Sequence, residues 1–160
     1  MTNTNNNDFQ IIMTYNKIRH LELLKRFLDF KNKGKDLYME NRDEYMELQE
    51  YGCALYHHIF CKSKEQFVLL MANYVNDSID FEDFEIAFSQ LWWKSMKVYD
   101  TFEIDLKKLK NFELDPKSDR FGSFITAVFR QFEVLEDEEC TEQEVKDYVR
   151  DTLREIQSYL

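Results

Sequence analysis

Cys53, His57 and Cys61 recur every four residues, and thiolate and imidazole at that spacing share one face of a helix, the beginning of a zinc site. Geometry limits the idea. At 1.5 Å rise per residue the two cysteines stand about 12 Å apart along the axis, so one ion reaches only an adjacent pair and needs ligands from elsewhere. His20, His58 and Cys140 are the other soft donors, and nothing in the sequence brings them close. The expectation is no metal and no cofactor, with buried cysteines and a half-buried histidine on that helix. The odd set Cys53, Cys61 and Cys140 forms no paired framework and points to unpaired thiols in a reducing compartment.

The stretch NDSIDFEDFEIAFSQLWW, residues 76 to 93, offers a second chemistry, because an apolar residue followed by acids resembles the close of a calcium-binding EF-hand loop. In that register Ala72 and Tyr74 fall at ligand positions one and three, Asp77 replaces the turn glycine, and Asp83 stands where glutamate closes the loop. A site that needs about six to eight oxygens does not tolerate those losses. A helix start accounts for the same residues. Asp80 serves as N-cap with Asp83 at the third helical position, Ile79 and Phe84 form a hydrophobic staple, and Glu82, Asp83 and Glu85 lie where the helix dipole favours negative charge. No nucleophile elbow, protease signature or phosphate-binding glycine loop occurs, so the chain is not expected to be an enzyme.

These side chains must be positioned by helices. Only three glycines and one proline occur in 160 residues, which argues against a many-turned β architecture. The expected fold is all-α: an antiparallel helical bundle of about five to six helices. A disordered lead is expected over residues 1–8 and one α-helical domain over residues 9–160. Apolar spacing at Ile18, Leu21, Leu24 and Leu28 predicts a first helix from about residue 9 to residue 32, stopped by Gly34. Asn41 or Asp43 starts a second, carrying Tyr45, Leu48, Gly52, Leu55 and Ile59 on one face. Ser63 with Gln66 suggests a capping box for a third, with Phe67, Leu70, Met71 and Tyr74 inward. The fourth starts at Asp80, places Phe81, Phe84, Phe88, Leu91 and Ser95 on one stripe, and continues or restarts to bury Phe102, Leu106 and Leu109. Asp115-Pro116 breaks the chain before a fifth with Phe121, Phe124, Ile125, Val128, Phe129 and Phe132. Thr141 with Glu144 caps a sixth carrying Val145, Tyr148, Val149, Leu153 and Ile156. Trp92 and Trp93, about 100° apart on a helix, cannot both point inward, so one is available to another chain.

Charge placement carries the functional reading. The formal charge is −10, which opposes binding to nucleic acid or anionic membrane and makes a basic protein the natural partner. Asp77 to Glu85 holds five acids and no base. Between Glu133 and Asp151 nine acids face Lys146 and Arg150 alone. A solvated surface explains part of this, and an electrostatic docking face explains it too. The candidate contact residues are Asp80, Glu82, Asp83, Glu85, Glu136, Asp137, Glu138 and Glu139, with Trp93 as an apolar anchor. The amino terminus lacks the basic and apolar segments of a secretory signal, and no apolar run is long enough to suggest a membrane span.

Residues 67 to 88, FVLLMANYVNDSIDFEDFEIAF, then Leu114-Asp-Pro-Lys-Ser118, Phe121-Gly122, Phe124-Ile125, an acidic stretch and a closing helix ending near Tyr159-Leu160, resemble colicin D-like self-protective immunity proteins. The same pattern is similar to open reading frames of algal plastids and plasmids. The resemblance covers most of the chain after residue 15 and implies a small helical inhibitor that binds the basic nuclease domain of a toxin and blocks its RNA site. It carries no contact residue over to a position here. It also implies a cytoplasmic location, or the plastid stroma for a plastid-encoded chain. The alternative is a non-enzymatic adaptor held to its partner by apolar contacts.

Overall fold

In six places a short polar side chain stops the preceding strand or turn and starts a helix, and these caps define the architecture. A computed structural model describes residues 13–96 and 111–159. Asn16, Asp36, Asn41, Asp80, Asp115 and Thr141 each accept a backbone N–H two or three residues on, at 2.7–3.2 Å. Each such cap is worth about 1 kcal/mol. They open α1 (Lys17–Asn32), α2 (Leu37–Glu40), α3 (Arg42–Lys62), α5 (Phe81–Met96), α6 (Pro116–Glu136) and α7 (Glu142–Tyr159). The remaining helix, α4 (Lys64–Val75), follows α3 after the single residue Ser63.

Two packed pairs show the antiparallel arrangement. His57 meets Asp119 while Cys61 meets Ser118, which sets α3 against α6. Phe67 meets Phe88 while Tyr74 meets Phe84, which sets α4 against α5. The main core lies between α3, α4, α5, α6 and α7 and is built from Phe60, Phe67, Met71, Phe84, Phe88, Phe121, Ile125, Val128, Phe132, Val145 and Val149 among others. Smaller clusters around Tyr15 and Leu55, and around Leu23, Leu37 and Leu48, seat α1 and α2 on α3. Arg19 reinforces that seating with a two-pronged contact to Glu47, at 2.8 and 3.0 Å.

The all-α expectation stands, with two additions. Seven helices occur among the described residues, the extra one being the single turn α2. A two-residue antiparallel ladder also pairs β1 (Met13–Thr14) with β2 (Glu113–Leu114). Helix α1 therefore begins at Lys17, and residues 13–16 are not part of it, because Asn16 caps it and Tyr15 donates its N–H to the Phe112 carbonyl at 2.8 Å. Its inward face also differs from expectation. Ile18 and Leu28 are 68% and 44% exposed, while His20 and Leu23 are buried against α3. Ser63 makes no side-chain cap, since one residue between two helices stays near helical geometry, at φ −98 and ψ 14. The lead over residues 1–8, the helix start at residue 9 and the burial of Phe102, Leu106 and Leu109 fall outside the described residues. Among the described residues no helix is long and apolar enough to cross a membrane.

Three helices end in the same left-handed turn. Gly34, Asp77 and Glu138 have φ of 70, 60 and 58. In each case the next residue donates its N–H back into the helix, Lys35 to Phe30, Ser78 to Asn73 and Glu139 to Val134, at 2.8–3.0 Å. This is the Schellman closure, which favours glycine because a side chain in the left-handed region costs roughly 1–2 kcal/mol. Glu138→Gly should raise stability by about 0.5 kcal/mol once the added freedom of the unfolded glycine is subtracted. Urea unfolding beside Glu138→Gln separates this from the loss of charge; equal midpoints for the two variants would show that the turn is unstrained.

His20 is fully buried, and its Nδ1 shares a 2.7 Å hydrogen bond with the Tyr15 hydroxyl. Burial pushes the imidazole from its usual 6.5 down to about 4. Between those values the unfolded chain binds a proton that the folded chain refuses. Stability is thus intact above pH 6.5 and falls towards pH 4, by up to about 1.4 kcal/mol per pH unit. His20→Gln should flatten that part of the stability curve relative to the parent; parallel curves would mean that the unprotonated state is not required.

Candidate functional site

Helix ends bring the two acidic stretches of the sequence to one corner. The first turn of α5 holds Glu82 and Glu85 follows directly after it, the last residue of α6 is Glu136, and the first of α7 is Glu142. Partial burial raises the Glu85 carboxyl above its ordinary range, and Glu136, Glu82 and Glu142 raise it further. Four carboxylates therefore share one field. Beside them the Tyr74 phenol is pushed up to about 12, first by burial and then by Glu142, Asp77 and Asp147. The Lys146 side chain is mostly buried, its ammonium paired with Asp77 and set over the Tyr74 ring at 5.3 Å.

Of the residues chosen from sequence, Glu82, Glu85 and Glu136 are brought together, and Glu142 belongs with them although sequence reasoning omitted it. Asp80 is occupied otherwise, since its carboxylate accepts the Asp83 N–H at 2.8 Å. Asp83 is exposed on the first turn of α5. Asp137, Glu138 and Glu139 form the turn from α6 to α7, where Glu139 stands beside Cys140 with Glu144. Trp93 is 58% exposed, whereas Trp92 is 8% exposed and stacks on Phe129 at 4.3 Å. The expected division of the tryptophan pair is observed.

The Cys53, His57, Cys61 column of α3 faces α6. His57 Nδ1 lies 2.7 Å from an Asp119 carboxylate oxygen, and Ser118 Oγ approaches Cys61 Sγ at 3.5 Å. Cys53 is exposed rather than buried, because it stands at the edge of the helix contact, and Cys61 and Cys140 are half-buried. It lines a cleft of about 660 Å³ with Tyr56, His57, Trp92 and Arg130. Its thiol is held above the ordinary value by desolvation and by Asp119, so it is no ready nucleophile. His58 is engaged separately, stacked on the Phe112 ring at 3.7 Å. Among the described residues no three His, Cys, Asp or Glu side chains are grouped to hold a metal.

Compared with protein-family models, curated proteins and solved structures, the chain matches none. The site is thus interpreted from its own geometry.

Gly122 is the close-approach glycine of this contact. A Cβ there would lie 2.3 Å from His57 Cδ2, far inside van der Waals contact. Gly to Ala inside a helix ordinarily stabilises by roughly 0.5–1 kcal/mol. Here Gly122→Ala should instead destabilise by about 1–3 kcal/mol, and His57→Ala in the same chain should recover part of the loss. Denaturant midpoints of the four-member cycle check the sign; an additive cycle would mean that the two positions do not collide.

Proposed function

We propose that this chain is a non-catalytic binding protein that neutralises a basic, tRNase-like toxin domain by covering its RNA site. One observation carries the reading: the packing of α5, α6 and α7 sets Glu82, Glu85, Glu136 and Glu142 at neighbouring helix ends, where partial burial first and the other carboxylates second hold the Glu85 carboxyl above its ordinary range. A nuclease surrounds its substrate phosphates with lysine and arginine, and a fixed group of carboxylates offers those cations an alternative to RNA. The charge of −10 adds long-range attraction that speeds encounter at low ionic strength. The same charge repels RNA itself, so inhibition proceeds by occupation of the enzyme and not by sequestering its substrate.

An adaptor held by apolar contacts is the second reading, and the exposed Trp93 favours it. The two readings separate by their response to salt, since exposed charge attraction is screened within about 10 Å at 0.1 M salt while apolar burial is not.

Glu85→Lys, Glu136→Lys and Glu142→Lys together should slow association with a basic ribonuclease domain at least tenfold at low salt, and reversal across Asp137 to Glu139 should act more weakly. Stopped-flow binding with RNA cleavage assays across a panel of basic tRNase domains measures both. A parent protein that inhibits none of them, or rates unmoved by the triple reversal, would reject toxin neutralisation through this corner.

A further inference from the structure

The outer side of α5 joins the acidic corner to an apolar surface. Phe84, Phe88 and Trp92 turn inward, whereas Ile86 and Trp93 lie two turns apart further round the helix, 50% and 58% exposed, with Trp93 keeping an edge contact to Phe129. Glu82, Ile86, Ser89 and Trp93 recur at intervals of four, three and four residues, which aligns them in one stripe. Single exposed apolar residues are ordinary. These two share a shallow groove with Ser89, Gln90 and Lys94, and a partner seated there removes their remaining apolar surface from water. The stripe also has a direction. Carboxylates stand at its start, where Glu85 senses Glu136 and Glu82, while Lys94 follows Trp93 at its end.

We propose that this stripe docks one protein partner whose surface carries a cationic patch and an apolar pocket about 12 Å apart, the rise from Glu85 to Trp93 at 1.5 Å per residue. The inference rests on the acidic corner being a docking site and specifies what else its partner must present. RNA and anionic membranes are poor occupants, because the acidic end repels both. With acids at one end and Lys94 at the other, the partner is accepted in one orientation. The carboxylates set the speed of encounter, and Trp93 with Ile86 sets the lifetime of the complex.

Two synthetic helical peptides test this. One carries a lysine cluster with a leucine–phenylalanine pair about 12 Å away along its axis; the other replaces that pair with serines. Binding and tryptophan emission are followed at about 50 mM and about 500 mM salt. The first peptide should bind, shift the emission to the blue and retain measurable affinity at high salt. The serine peptide should bind at low salt only and leave the spectrum unchanged. Trp93→Ala should weaken the first peptide at least tenfold and abolish the shift, with helix content by circular dichroism confirming the fold; Trp93→Phe should restore most of the affinity. Glu85→Lys with Glu136→Lys should weaken both peptides at low salt. If charge reversal weakens binding while Trp93→Ala leaves affinity and spectrum intact, the corner survives and the apolar anchor is wrong. If neither substitution matters, or the first peptide fails to bind at low salt, both readings fall.

Discussion

Phe132 stands edge-on to Phe81, Phe84, Phe88 and Phe129, with ring centroids 5.6–6.2 Å away. Such contacts add about 0.5–1.5 kcal/mol each beyond the area they bury. Those to Phe81, Phe84 and Phe88 fasten the C-terminal part of α6 to the N-terminal half of α5, beside the carboxylates. Exposed charge pairs contribute about 0–1 kcal/mol, so the aromatic contacts outweigh the repulsion that would separate the two helix ends. The acidic corner is an electrostatic liability carried by an aromatic clamp.

Local signals in the sequence identified the helix starts well. Asp80, Asn41 and Thr141 cap their helices because a cap needs only its own next three residues. Ser63 belongs to the same residue class and fails, since α3 and α4 leave it no extended backbone from which its hydroxyl could reach. The inward stripes of α5, α6 and α7 followed from periodicity, except that Tyr148 of α7 is exposed, since it lies round the helix from the buried Val145 and Val149. That of α1 did not, because its neighbours are decided by the strand pair Met13 with Leu114 and by Tyr15 packing on Phe112, partners too distant in sequence for any periodic pattern to announce.

The candidate site divides in the same way. Charge density alone indicated the two acidic stretches, but their meeting depends on how α5, α6 and α7 pack. Glu142 was therefore missed, while Asp137 to Glu139 occupy the turn that follows α6. The cysteine and histidine column suggested a metal because type and spacing were visible while its true neighbours were not. Asp119 lies 62 residues from His57. Gly122 was the available clue, a helix-interior glycine whose reason is the imidazole pressed against it.

That contact also constrains the order in which the sequence can change. A side chain at position 122 is costly until His57 has become smaller, whereas His57 can shrink at any time at the expense of a cavity and the Asp119 bond. The order of change is biased. Descendants of this chain should therefore show position 57 changing first, and a lineage that has filled position 122 cannot regain the histidine without reopening the helix. Two sites 65 positions apart in sequence, 122 − 57, thus evolve as one.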